Sequence, residues 1–270
     1  MILKLFFTQF FIFFLMFLPI FFLDVYGEEP ILISISSQLD NVVFDGKWTT
    51  SDEWKQSSYN RIAFDDGTEI HLRTAYQGDF IYVQINVASD KFIDKLTDSA
   101  LICFDTKNDK TILPQSDDYC FFTSLDGKKS FSYQGNDLPA INGYFTKIPN
   151  NKDFIAVGSS SDKHDRYDKT PHPSYEFKIP LHLLGRSDNY GFFLSVFDAH
   201  TKIHYSWPHN IEHQSIISIP SPSKWGDLVS PDKSLPEFNL SLLLVIIFPI
   251  ILSMQLFLKF KFLKSSLFLK

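Results

Sequence analysis

The chain has 270 residues, of which 44% are hydrophobic and 29 are phenylalanine. Between two apolar ends, residues 28–235 contain 20 basic and 29 acidic residues, which is a net charge of −9. An acidic domain of this kind repels phosphate backbones, so nucleic-acid binding is excluded as a function class. Two cysteines exclude a disulfide scaffold.

Residues 1–27 are predicted to be a signal peptide. The segment begins with Lys4, is apolar from residue 5 to residue 23, and has Val25 and Gly27 at the minus-three and minus-one positions of a cleavage site. These are the features of a cleaved secretory signal. Because the apolar stretch is also long enough to span a bilayer, an uncleaved anchor remains the alternative.

The exported part of the chain has the pattern of short strands separated by turns. In residues 80–87, apolar and polar side chains alternate with a period of two, which is typical of a strand with one buried face. Further strands are predicted at 69–76, 100–104, 119–124, 130–133, 154–159, 175–179, 192–199 and 204–207. One helical turn is expected at 180–185, with Gly185 ending it. The pattern predicts an all-β fold, a two-sheet antiparallel β-sandwich over residues 28–228.

The carboxy-terminal end is predicted to anchor the protein in a membrane. After a linker at 229–239, residues 240–258 contain no formal charge and are long enough to cross a bilayer. Lys259, Lys261, Lys264 and Lys270 follow, so residues 259–270 are expected to form a cytoplasmic tail. The sandwich is then exported and displayed at the cell surface by a single-pass membrane anchor.

Several short motifs occur in a recognisable order along the exported part. They are Phe44-Asp45-Gly46, Asp52-Glu53-Trp54, Cys103-Phe104-Asp105, Asp117-Asp118-Tyr119, Tyr175-Glu176-Phe177, Phe197-Asp198-Ala199, Tyr205-Ser206-Trp207 and Trp225-Gly226-Asp227-Leu228. This series resembles the family 9 carbohydrate-binding modules and the wider DOMON-like sandwiches. The resemblance implies a jelly-roll or DOMON-like sandwich that clamps a polysaccharide or glycan between aromatic side chains. It also implies structural calcium and frequent attachment to glycoside hydrolases.

Carried over residue by residue, the resemblance makes Trp207 one wall of the sugar clamp. Phe92 or Trp48 is expected opposite it, with hydroxyl groups reached by the polar side chains Asp198, His200 and Asn210. A sugar ring has an apolar face that stacks on indole, and hydrogen bonds fix its orientation.

A second resemblance concerns the linker. The order Leu235-Pro236-Glu237-Phe238, apolar helix and basic tail is similar to the sorting signals of archaeal surface proteins, which implies a sortase-like processing enzyme as partner. A plain membrane anchor is the alternative.

Two further sites are predicted in the middle of the chain. The carboxylates Asp105, Asp109, Asp117 and Asp118 suit calcium, which prefers hard oxygen ligands, although acidic loops are often only solvated. Cys103 and Cys120 on neighbouring strands are able to form a disulfide, with two free thiols as the alternative.

The sequence predicts a non-catalytic protein. Motifs of serine hydrolases, zinc proteases and phosphate-binding loops do not occur, and the chain has no room for a catalytic domain. No nucleotide is expected as a cofactor. The resemblance to DOMON-like sandwiches implies a methionine ligand where haem is held, and the exported part contains no methionine, so no haem is expected. Two alternative functions stay open. One is a surface-layer or adhesion module that binds protein partners. The other is an exported metal-binding protein using the group His200, His204, His209 and His213.

Overall fold

The structure is a computed structural model that describes residues 28–39, 41–126, 129–140, 143–209, 211 and 219–232. These residues form strands β1 to β14 and a short helix, α1, at Leu181–Leu184. The strands are, in chain order, Ile31–Leu32, Ser34–Ile35, Ser58–Ala63, Glu69–Gln77, Phe80–Asn86, Ser99–Asp105, Asp118–Ser124, Ser130–Ala140, Gly143–Ile148, Ile155–Ser160, Pro173–Pro180, Asn189–Asp198, Ile203–Trp207 and Gly226–Val229. The prediction of a β-rich chain with one helical turn before Gly185 is confirmed for this part of the chain.

The strands form two sheets. The first sheet has the order β1-β14-β12-β6-β7-β8-β9, with β13 also paired to β12. The second has the order β10-β11-β5-β4-β2, with β3 also paired to β4. The prediction of purely antiparallel sheets is wrong at two pairs, because β1 runs parallel to β14 and β2 runs parallel to β4. The segment that contains β1 and β2 passes from one sheet to the other, and it contributes a two-residue edge strand to each sheet.

The main core lies between the two sheets. Ile102 and Phe104 of β6 contribute to it from the first sheet, and Val83 and Ile85 of β5 contribute from the second. All four side chains are fully buried. Their spacing of two residues follows directly from the alternation of side chains along a strand.

The outward faces of both sheets are also covered. A second apolar cluster, which includes Leu101, Phe193 and Trp225, lies on the other side of the first sheet. A third cluster, with Trp48 and Trp54, packs against Tyr82 on the other side of the second sheet. The prediction that residues 80–87 bury only one face is therefore wrong, because the loop that carries Trp48 and Trp54 covers the other face.

The disulfide prediction agrees with the structure, in which Cys103 and Cys120 are bonded. The two residues face each other in register on β6 and β7. Their bonded side chains belong to the second apolar cluster.

Within the part of the chain that the structure describes, no helix is both long enough and apolar enough to pass through a bilayer. The predicted signal peptide at 1–27 and the predicted membrane span at 240–258 lie outside the described residues. Most of the linker at 229–239 also lies outside them.

Candidate functional site

A cleft of about 440 Å³ opens between the amino-terminal segment and β3. Its lining consists of residues 28–32, residues 59–63, Trp207 and His209. A cleft of this size falls in the range that holds a small ligand. It is lined by two large aromatic side chains and several polar ones, which is the composition that a sugar-binding site needs.

Trp207 lies at this cleft, but most of its surface is covered. The side chain is 4% exposed and belongs to the main core. Its indole packs on Phe192, with ring centroids 6.0 Å apart, and directly on Gly226. A Cβ atom at position 226 would lie 2.2 Å from the indole, so only glycine fits beneath it. Trp207 thus forms the base of the cleft and is not a free-standing wall.

The exposed aromatic side chain of the cleft is Tyr59, which is 45% exposed. Its hydroxyl is hydrogen-bonded to Nδ1 of His71 at 2.8 Å, and the two rings are tilted by only 15°. Tyr167 stacks on His71 with ring centroids 4.1 Å apart, and the Arg73 guanidinium lies 5.1 Å from the Tyr59 ring. These contacts hold Tyr59 in one orientation, so binding to it costs little side-chain entropy.

Polar side chains surround Tyr59 in the cleft. The Asn60 amide accepts a hydrogen bond from the backbone N–H of Leu32 and donates one to its carbonyl oxygen. These two bonds hold the amino-terminal segment against β3. The Nε of Arg61 donates to Glu69 at 2.9 Å. Nδ1 of His209 donates a hydrogen bond to Oε1 of Glu28 at 2.9 Å. Each group keeps further hydrogen-bonding capacity, which hydroxyl groups of a ligand are able to use.

Tyr59 and its neighbours are not among the residues predicted from the sequence, because the pattern predicts no strand before residue 69. The available signal is the alternation in β3, where Tyr59 and Arg61 point outward and Ile62 is buried. The pattern is short, and the side chains it exposes are brought to the cleft only by pairing of β3 with β4.

Three of the residues predicted to bind sugar are brought together elsewhere. Phe92, which is 55% exposed, stacks on His200 with ring centroids 3.7 Å apart. Asp198 accepts hydrogen bonds from the backbone N–H groups of His200, at 2.8 Å, and of Thr201, at 3.2 Å. None of the three lines the cleft that contains Trp207.

The two remaining predicted sugar-binding residues do not contribute an exposed surface among the described residues. Trp48 is 2% exposed and packs edge-on against Tyr167, with Arg73 5.2 Å from its ring. It cannot face Trp207 across an open groove, because it packs on the outward face of the second sheet whereas Trp207 belongs to the core between the sheets. Asn210 lies outside the described residues.

The predicted calcium loop brings three of its four carboxylates together. Oxygen atoms of Asp105, Asp117 and Asp118 all lie within 4.8 Å of one another. Asp109 is exposed and stays outside this group. The buried oxygens Oδ1 of Asn108, Oδ2 of Asp117 and Oδ1 of Asp118 have no hydrogen-bond partner. This arrangement offers oxygen ligands of the kind that calcium takes.

The electrostatics of this loop indicate uncompensated negative charge. Burial, together with the charges of Asp105, Asp117 and Asp109, raises the pKa of Asp118 to about 7. Lys107 pairs with Asp117 at 3.2 Å but is itself exposed. A bound cation would neutralise the group more completely.

A second group of carboxylates, Asp94, Asp98 and Asp198, lies beside the Phe92–His200 stack. Burial, with the neighbouring carboxylates, raises the pKa of nearby Asp90 to about 6. The carboxylate of Asp98 already accepts hydrogen bonds from the backbone N–H groups of Asp94 and Ala199. Much of this group therefore serves to shape the loops.

The histidines predicted as a metal-binding group are separated from one another by their contacts. His204 packs on Phe197 with ring centroids 4.7 Å apart, whereas His200 and His209 have the partners described above. His213 lies outside the described residues. In the described ranges, no group of three ligand residues includes a histidine.

Two solved structures are similar to this chain. Both are family 9 carbohydrate-binding modules from Caldicellulosiruptor kristjanssonii, one in complex with glucose and one with cellotriose. The glucose complex has a TM-score of 0.47 and 17% sequence identity, covering 75% of this chain and 95% of the module. The cellotriose complex has a TM-score of 0.45 and 18% identity, covering 78% of this chain and 100% of the module. No family model matches the chain, and no curated protein matches it.

Proposed function

We propose that this protein is a non-catalytic carbohydrate-binding module that holds a sugar in the cleft between Tyr59 and Trp207. The observation that supports this most directly is the exposed ring of Tyr59 at a cleft of about 440 Å³ with polar side chains around it. A pyranose would stack on Tyr59, and Arg61, His209 and Glu28 would bond its hydroxyl groups.

The same function requires that the sandwich lies outside the cell, where polysaccharides are available as ligands. A protein with a signal peptide at 1–27 and a membrane span at 240–258 would present it there. This part rests on the sequence of the two ends, and the sortase-like processing partner rests on the Pro-Glu-Phe resemblance alone.

Removal of the Tyr59 ring tests the sugar site. We expect Tyr59→Ala to weaken binding to the preferred member of a glycan panel by about tenfold, because stacking on an aromatic ring contributes about 1–1.5 kcal/mol. The measurement is isothermal titration calorimetry on the purified protein.

Phe92→Ala is the matched control, because Phe92 is an exposed aromatic residue outside the cleft. It is expected to bind the same glycan as tightly as the unmodified protein. Loss of binding in Phe92→Ala with full binding in Tyr59→Ala would move the site to the Phe92–His200 stack. A glycan panel with no binding at all would refute carbohydrate as the ligand class.

We further propose that calcium binds the loop formed by Asp105, Asp117 and Asp118, with Asn108 as an additional oxygen ligand. The unpartnered buried oxygens support this assignment. The ion would tie the 105–118 loop to the ends of β6 and β7 and so stabilise the sandwich.

The raised pKa of Asp118 predicts how stability depends on pH. Without calcium, protonation of Asp118 favours the folded state, so stability is highest below the ordinary carboxyl pKa and falls as pH rises towards about 7. Calcium requires the ionised carboxylate, so the calcium-induced rise in melting temperature is expected to be larger at pH 7.5 than at pH 5. Thermal unfolding in calcium and in chelator at both pH values measures this difference.

Asp118→Asn is the control for this experiment, because the amide does not titrate. It is expected to remove most of the pH dependence and to weaken the response to calcium. A melting temperature that is the same in calcium and in chelator at both pH values would exclude the ion.

A further inference from the structure

The loop that joins β6 to β7 exposes two large apolar side chains. Ile112 is 77% exposed, which is the largest value among the bulky apolar side chains of the described residues, and Leu113 is 46% exposed. We refer to residues 106–117 as the tip loop and to Ile112 and Leu113 as the apolar pair. Contiguous exposed apolar side chains, unlike single ones, mark surfaces at which proteins bind a partner or a membrane.

Hydrogen bonds hold the tip loop in place beside the apolar pair. The carboxylate of Asp105 accepts a hydrogen bond from the backbone N–H of Lys110 at 2.8 Å. The carbonyl oxygen of Thr111 accepts a hydrogen bond from the backbone N–H of Ser223 at 3.0 Å. Because the backbone directly before the apolar pair is bonded on both sides, the pair is exposed by the folded structure of the loop itself.

The tip loop begins at the end of the sandwich where the described chain leaves. Asp105, the last residue of β6, is paired with Gly191 of β12. Val229, the last residue of β14, is paired with Asn189, two residues nearer the start of β12. These four positions lie at one end of the first sheet, which we call the exit end.

Side chains also join the tip loop directly to β14. Nδ2 of Asn108 donates a hydrogen bond to Oδ1 of Asp227 at 2.9 Å, and Nζ of Lys110 lies 2.9 Å from the same oxygen. Val229 follows Asp227 by two residues, which is about 7 Å along a strand. The tip loop is therefore adjacent to the last strand before the linker.

The proposed membrane span would place a bilayer close to the exit end. The span begins at residue 240, eight residues after Asp232, the last described residue. An extended chain of eight residues reaches at most about 28 Å. The exit end would then lie within that distance of the membrane surface. This step rests on the membrane span of the proposed function and not on the sugar site.

The chemistry of the tip loop fits an uncharged lipid surface. Isoleucine and leucine side chains partition favourably into lipid. Residues 105–118 contain four aspartates and two lysines, which is a net charge of −2, so anionic headgroups would repel the loop. Lys107 and Lys110 already pair with Asp117 and Asp227. Attraction to the surface would therefore come from the apolar pair.

We propose that the apolar pair inserts into the surface of the membrane that anchors the protein, with zwitterionic lipid as the partner. The linker would bring the sandwich to the bilayer, and the tip loop would fix the orientation in which the sandwich stands on it.

This orientation would direct one end of the sugar cleft away from the membrane. The hydroxyl of Tyr76 donates a hydrogen bond to the carbonyl oxygen of Ser187, just before β12, so the last residues of β4 lie at the exit end. Ala63, which lines the cleft, is paired with Glu69 at the first residue of β4. The Ala63 end of the cleft would face outward, where a polysaccharide is accessible.

Quenching by labelled lipid tests the proposal. The two native cysteines are bonded to each other and fully buried, so Ile112→Cys provides a single site for a fluorescent label. The purified full chain is reconstituted in phosphatidylcholine nanodiscs, with and without doxyl-labelled phosphatidylcholine as the quencher. The label at position 112 is expected to lose about half of its fluorescence, because interfacial apolar side chains lie about 5–10 Å into the boundary between headgroups and acyl chains.

Ile203→Cys is the matched control. Ile203 is 42% exposed and is paired with Asp198 of β12. Asp198 follows Gly191 by seven residues, so the control label lies about 23 Å along the strand from the exit end. It is expected to keep its fluorescence in the same nanodiscs.

A second variant separates insertion from mere proximity to the bilayer. Leu113→Asp, combined with the label at Ile112→Cys, is expected to abolish quenching, because a carboxylate is costly to place in lipid. Both side chains of the apolar pair are exposed, so these substitutions leave the packing of the core unchanged.

The outcomes distinguish docking from anchoring. Equal quenching at positions 112 and 203, or none at position 112, in protein that elutes with the nanodiscs would overturn docking and leave the membrane span standing. Quenching that persists in Leu113→Asp would overturn insertion as well. Protein that does not elute with the nanodiscs would refute the span and, with it, the docking. A blue shift at position 112 without quenching would show a protein contact in place of lipid.

Discussion

Replacement of Glu176 with alanine is expected to lower the free energy of unfolding by about 2–4 kcal/mol. Glu176 is fully buried on β11. Its carboxylate accepts hydrogen bonds from the indole Nε1 of Trp54, at 3.0 Å, and from the backbone N–H of Gly46, at 2.9 Å. Alanine leaves both donors buried without an acceptor.

These two hydrogen bonds hold the loop that covers the second sheet. Gly46 has φ of +84°, and a Cβ atom there would lie 2.6 Å from the backbone nitrogen of Ser159. The loop therefore passes close to β10 at this point, which only glycine permits. Loss of the Glu176 contacts is expected to loosen the loop together with Trp48 and Trp54, both of which it carries.

Urea unfolding followed by tryptophan fluorescence measures the effect, with Glu176→Gln as the control. Burial raises the pKa of Glu176 well above its usual range. Glutamine has nearly the same shape as glutamate and carries no charge. Glu176→Gln keeps one acceptor oxygen and is expected to cost about 1 kcal/mol. A loss for Glu176→Gln as large as the loss for Glu176→Ala would contradict this expectation, because glutamine keeps the side-chain volume and one acceptor oxygen.

Removal of the disulfide by the double substitution Cys103→Ala and Cys120→Ala is expected to destabilise the protein by about 3 kcal/mol. The bond joins residues 17 apart in sequence. Closing a loop of that length lowers the entropy of the unfolded chain, which stabilises the folded state by about this free energy. Both side chains are also fully buried against Phe193 and Trp225, so truncation adds a packing loss.

The 105–118 loop that the disulfide closes is also the predicted calcium site, which makes a coupled effect testable. The double variant is expected to bind calcium more weakly, because the loop ends are no longer tied. Reduction of the unmodified protein with a reductant is the control that separates the covalent bond from the truncation. Stability that is unchanged by both treatments would contradict a structural role for the bond.

Much of the sandwich follows from local sequence patterns. The alternation of Val83 and Ile85 with Gln84 and Asn86 predicts β5 and its core face, and Gly185 predicts the end of the short helix. The strands β1, β2 and β14 are too short for any periodicity, so only pairing with neighbouring strands defines them.

The candidate sites divide in the same way. The sequence predicts the proposed calcium loop and the pair Cys103–Cys120, because both lie where two strands adjacent in sequence also pair in the sheet. The role of Tyr59 is not readable, because its exposure depends on the edge position of β3 and on contacts with His71 and Tyr167, which come from other parts of the chain.

By itself, the sequence determined the class of fold, the acidic character of the central domain and the residues able to form a disulfide, because these properties depend on composition and on neighbouring positions. The tertiary structure alone decided that Trp207 is covered by Gly226 and Phe192 while Tyr59 is exposed. It also decided that Gln84 and Asn86 are buried and not solvated. The physical reason is that exposure depends on which distant segments pack over a side chain, and a strand pattern records only which face a residue occupies.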